Sequence, residues 1–190
     1  MPGPGAGNTR WTRAAVAVVA ALWLTCTAAD AGPKAVESEL KAVFLYKLVQ
    51  FVEWPDSAFV ADDKFVIGVL GEDPIEDALR VVTKNKIVLD RTPVVRRLTS
   101  VRQVAGCHVL YVAPEFEEGV CDIVRDLPSR HVLTIGGFED FCSFGGLMAL
   151  TVKDNHVSFA INRDSYDRSG ISMSARLLRL AIPLGGERCQ

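Results

Sequence analysis

From residue 33 onward, Leu40, Val43, Phe44, Leu48, Phe51 and Val52 recur at spacings that place them on one face of a helix. Pro33 suits the first turn, because its fixed φ is already helical and its missing N–H costs nothing there. Trp54-Pro55 ends the helix, since proline disfavours the α conformation in the residue before it and offers no backbone donor.

KFVIGVLGED then breaks the helical spacing. It is short, β-branched and almost continuously apolar, the pattern of a strand buried on both faces. Asp73 before Pro74 predicts an N-cap and a helix over PIEDALRVV. KIVLD and TPVVRRL predict strands nearer an edge. GCHVLYVAPEFEEGVCDIVRDL repeats the strand–proline–helix unit, and HVLTIGGFEDF predicts one more strand, ending on Gly136-Gly137. Such alternation predicts an α/β domain with parallel strands. LMALTVKDNHVSFAIN is different: two alternating runs meet at Asp154-Asn155, residue types that tolerate the positive φ of a tight hairpin. The sheet is therefore expected to be mixed, with a C-terminal antiparallel hairpin and flanking helices. SMSARLLRLAI predicts the closing helix, with Ser172 as its N-cap.

The N-terminus changes the picture. Arg10 and Arg13 precede the apolar run AAVAVVAALWL, and the small residues of TCTAADAG follow. This is the layout of a cleaved secretory signal peptide over residues 1–31, with cleavage at 29–31. The run is too short to span a bilayer, which takes roughly 20 apolar residues. The expectation is export to the periplasm, one domain over 34–184 and a tail over 185–190. Losing the two arginines moves the formal charge from −2 to about −4 if Asp30 stays. A mildly acidic exported chain does not suit a nucleic-acid partner.

Four cysteines lie beyond the leader: Cys107, Cys121, Cys142 and Cys189. An oxidising compartment permits disulfides, and four cysteines allow three pairings that sequence does not separate. No CxxC pair, dinucleotide fingerprint, P-loop, GxSxG elbow or HExxH helix occurs. His108, His131 and His156 are dispersed. The predicted strand ends carry acidic loops at GED, APEFEEG and GGFEDF, which suit helix N-termini better than a cation site. No catalytic residue, cofactor or metal is expected. A small-molecule sensor module feeding a membrane signalling protein, with its site near Gly71 and Gly136, is the alternative reading.

The order of the segments supplies more. KAVFLYKLVQFVEWP, IGVLGEDP, GCHVLYV, VLTIGG, FCSFGGLMALTVKDNHVSFAIN and ISMSARLLRLA together resemble the YfiR-like family of periplasmic proteins over about 36–181. The most specific pieces are Phe51, Trp54 and Pro55, the run FAIN, and SARLLRLA. The resemblance implies a compact Rossmann-like domain without nucleotide chemistry. It also implies a homodimer that binds the periplasmic part of an inner-membrane, YfiN-like diguanylate cyclase and represses it, limiting cyclic di-GMP and biofilm formation. Disulfides in such proteins respond to envelope redox conditions. Cys107 and Cys142 match family cysteine positions, whereas the places of their partners hold Gly68 and Ala149. Cys121 and Cys189 are additions, so Cys142–Cys189 and Cys107–Cys121 are both open as new bridges. Trp54, Phe51 and Phe59 are the candidate partner contacts, with a core position as the competing reading for Phe51 and Trp54.

Overall fold

A computed structural model describes residues 32–59, 64–125, 131–185 and 189. The expected leader, residues 1–31, lies outside the described residues. Helix α1 runs over Pro33–Leu48 with proline in its first turn, and tightens into a 3-10 turn over Val49–Phe51. Strand β1, Val52–Glu53, follows at once. β2, Lys64–Leu70, leads into α2, Ile75–Thr83. Asp73 does the capping work one residue earlier than a strict N-cap: its Oδ1 accepts the Ile75 N–H at 2.8 Å.

β3 covers Thr92–Leu98, β4 Val109–Val112 and β5 Leu133–Gly136. A 3-10 segment over Pro114–Gly119 leads into α3, Val120–Arg125. β6, Met148–Lys153, and β7, His156–Asn162, form the hairpin. Asp154 and Asn155 both take positive φ, 50° and 58°, as the turn requires. The chain closes with α4 (Arg163–Ser169), β8 (Ser172–Met173), α5 (Ala175–Leu180) and β9 (Ile182–Leu184).

The seven-stranded sheet has the order β3-β2-β4-β5-β6-β7-β9. The first five strands are parallel, β7 is antiparallel to β6, and β9 is parallel to β7. The domain is thus a Rossmann-like α/β fold with a mixed sheet. Every residue of β4 is buried, and its side chains alternate between two cores. Val109 and Tyr111 face the core that holds Leu45 and Leu48 of α1, while Leu110 and Val112 face the core that holds Val120 and Ile123 of α3. Fully burying one such leucine or valine contributes about 2 kcal/mol, so a strand buried on both faces fixes its own register.

Three sequence expectations change. KIVLD is no strand: Leu89 and Asp90 take positive φ, and only an isolated Val88–Arg91 bridge forms. Ser172 does not cap the last helix, because it pairs with Glu53 across β1 and β8, and Ser174 caps instead, its Oγ accepting the Leu177 N–H at 3.2 Å. Val43 and Phe51, placed on the buried face of the first helix by their spacing, are exposed, while Ala42, Leu45 and Val49 are buried there. The cysteine pairing, which the sequence leaves open, is neither of the two bridges named for it. The bond joins Cys121 to Cys189, while Cys107 and Cys142 are buried free thiols.

Candidate functional site

An open α/β sheet usually binds ligands at the carboxyl ends of its strands, where the order reverses. Here that point lies between β2 and β4, and the chain fills it with its own groups. Gly71 (φ +100°) turns the backbone, and a Cβ on it would stand 2.4 Å from Glu115 Oε1. That same oxygen accepts the Glu72 N–H at 2.8 Å. At the end of β5, a Cβ on Gly136 would meet the Phe141 ring at 2.1 Å, and one on Gly137 would meet the Tyr111 hydroxyl at 2.1 Å. The buried Lys41 ammonium donates to the Gly137 carbonyl at 3.0 Å and pairs with Glu37 at 2.6 Å. These glycines make room for side chains of the fold itself. Among the described residues no group of three metal-ligating side chains gathers.

An apolar open concavity lies on the flank. The last turn of α1 supplies Phe44, Lys47, Leu48 and Phe51, β7 supplies Phe159, and α5 supplies Arg176, Leu177 and Leu180. Local structure explains why these segments meet. Val52 pairs with Met173 across β1 and β8, and the Ser174 N–H donates to the Phe51 carbonyl at 2.9 Å. Ser174 then starts α5, which swings Leu177 and Leu180 over the end of α1. Phe44 packs against Phe159 with ring centroids 5.3 Å apart. The result is a groove of about 210 Å³ with a floor of buried Leu48, Phe159 and Leu177. Its rim is exposed, at 43% for Phe51 and 68% for Leu180.

The three candidate contacts therefore separate. Phe51 stands on the groove rim. Trp54 is buried, edge-on to Phe65 at 5.2 Å, with no hydrogen-bond partner for its indole N–H among the described residues. Phe59 is half-buried, stacked on His108 at 4.8 Å, with the Arg91 guanidinium over its ring, 4.0 Å from the centroid. His108 continues the column to Phe65 at 5.1 Å, and its Nδ1 accepts the Val66 N–H at 3.0 Å. That bond places the ring proton on Nε2. Burial and the Arg91 charge lower the His108 pKa, and the Ala58 carbonyl partly opposes them. Trp54 and Phe59 thus belong to an aromatic column with Phe65 and His108, while Phe51 is presented outward.

The cysteines also separate. Burial pushes the Cys107 thiol up, against a pull from the Arg96 guanidinium 3.2 Å away. Cys142 is pushed up to about 12 by burial, and its sulfur lies 3.5 Å from the Ala160 carbonyl. Thiols with so little thiolate at neutral pH are poor nucleophiles. A Cβ on Gly68 would lie 2.9 Å from Cys107 Sγ, so position 68 faces that thiol.

Solved structures share the fold. A conserved domain protein from Vibrio cholerae O1 biovar El Tor superimposes with a TM-score of 0.50 at 9% identity, over 80% of this chain and 60% of that one. The ABC domain from Streptococcus pneumonia, solved in complex with L-Trp, gives 0.50 at 10% identity, over 77% and 62%. The chain spans about three-fifths of the length of each. The match that reaches beyond fold is to a family described as YfiR/HmsC-like, over residues 38–182, which takes in α1 from its second turn, the groove and both buried thiols. The chain belongs to the YfiR/HmsC-like family of periplasmic regulatory proteins.

Proposed function

We propose that this protein is an exported, homodimeric repressor that binds the periplasmic part of an inner-membrane diguanylate cyclase and holds it inactive, limiting cyclic di-GMP and biofilm formation. The family match over 38–182 carries this reading. The position of Phe51 supports it: a half-exposed aromatic ring on a rigid helix end, beside exposed Leu180, is the kind of anchor on which protein contacts concentrate their energy. Phe51 is the direct contact in this reading, and Trp54 and Phe59 act from behind by holding the chain that leaves α1. The repressor shifts the cyclase only by its preference for the inactive state; moving a partner from 1:99 to 99:1 takes about 5.5 kcal/mol of differential binding.

The test is cellular cyclic di-GMP in cells carrying the protein with its cyclase. Deleting the repressor raises the dinucleotide, and Phe51→Glu does the same while leaving the circular dichroism spectrum and solution mass unchanged. A deletion that leaves cyclic di-GMP at its original level overturns the repressor reading.

A further inference from the structure

The flank groove has a charge pattern that its apolar floor does not need. Of the side chains lining it, two are charged, and both are cations: Lys47 from α1 and Arg176 from α5. Both are exposed, and neither has a carboxylate partner among the described residues. Lys41, Arg80, Arg97 and Arg163 all do have one. The rest of the lining is carbon: Phe44 against Phe159, with Leu48 and Leu177 in the floor and Phe51 and Leu180 at the lip. The groove, at about 210 Å³, exceeds the roughly 150 Å³ apolar cavity that holds a benzene.

We propose that this groove binds a single-chain anionic amphiphile of the fatty-acid class, its chain between the aromatic and leucine walls and its carboxylate at Lys47 and Arg176. A peptide segment fits less well. It would carry backbone amides onto carbon walls that offer them no partner. A second copy of this chain fits less well too. A two-fold contact through this face would set Lys47 and Arg176 against their own symmetry mates, like charge on like. An alkyl carboxylate has no backbone to satisfy and brings the opposite charge. Where the cyclase engages Phe51, a filled groove and a bound partner compete for that ring. This regulatory consequence rests on the repressor reading, whereas the binding itself does not.

The experiment is calorimetric titration of the purified protein with decanoate and with decyltrimethylammonium, each below its micelle concentration. Decanoate is expected to bind saturably, one per chain, with the cationic amphiphile weaker by about tenfold or more, the factor that about 1.4 kcal/mol gives. The double variant Lys47→Glu/Arg176→Glu changes only exposed side chains and should reverse the preference. Leu180→Asp, at an exposed lip position, should weaken decanoate binding. Equal affinity for both head groups, or decanoate binding unchanged in the double variant, overturns the proposal. So does the loss of self-association in Phe51→Glu, which would assign the groove to a second copy. Absent binding with repression intact removes the site and leaves the repressor reading standing; saturable binding with no repression to relieve does the reverse.

Discussion

Cutting the Cys121–Cys189 bridge should weaken the fold without touching the groove. The bond joins residues 68 apart in sequence, from the start of α3 to the end of the chain. Tying such a loop removes chain entropy from the unfolded ensemble, about 14.7 cal/mol/K on the loop-length relation, or about 4.4 kcal/mol at 25 °C. For a domain of this size, about 1 kcal/mol moves the melting temperature by about 2–4 °C, so Cys121→Ser should melt about 9–18 °C lower. Both sulfurs belong to partly exposed residues, so a reductant should reach them and produce the same shift in the native chain. The assay is calorimetry and urea denaturation of wild type with and without dithiothreitol, beside Cys121→Ser and Cys189→Ser. The two single variants and the reduced wild type should coincide, and decanoate binding should persist in all three at temperatures where they are folded. Wild type and variant with equal melting temperatures, while mass spectrometry shows the bond intact in wild type, would refute the chain-entropy reasoning. A loss of groove binding on reduction, in a still-folded chain, would refute the separation of bridge and groove.

Other expectations are independent of that bridge. Gly68→Cys should form a disulfide with Cys107, because the added Cβ stands 2.9 Å from Cys107 Sγ and the cross-bond Cβ–S distance is about 3 Å; Leu98 must shift slightly to admit it. Thiol titration of the denatured, oxidised variant should then find one fewer free thiol than wild type, and one more refutes the pairing. His108 has a folded pKa below its unfolded value, so between the two the unfolded chain binds more protons. Its share of stability is therefore present above about pH 6.5 and is lost as pH falls toward the lowered folded value. The urea midpoint should fall with pH in that window, and less steeply in His108→Asn; equal slopes would exclude the residue as the cause. Phe159→Ala removes a buried ring from the groove floor and should cost about 3–5 kcal/mol of stability in urea, with decanoate binding lost; full binding in the folded variant would place the ligand elsewhere.

Local pattern alone settles much of this protein. The three-and-four spacing with Pro33 before it makes α1, the unbroken apolar run makes β2, and Asp154-Asn155 makes the hairpin, because each depends on neighbours within a few residues. Order along the chain carries the family resemblance for the same reason. Spacing alone misplaces the buried face of α1, because apolar residues stand on more than one side of the helix. The buried face runs through Ala42, Leu45, Leu48 and Val49, at ordinary helical spacing, so Val43 and Phe51 both turn outward and Phe51 reaches the rim. Trp54 is drawn inside by the β1–β8 pairing, whose partners are more than a hundred residues apart, and no local signal announces it. The bridge is decided the same way: which of four cysteines meet depends on where α3 and the chain end come to rest. The groove needs residues 44–51, 159 and 176–180 together. A side chain's neighbours within one turn or strand are written in the sequence, whereas a surface made by three distant segments exists only once the sheet has brought them to one flank.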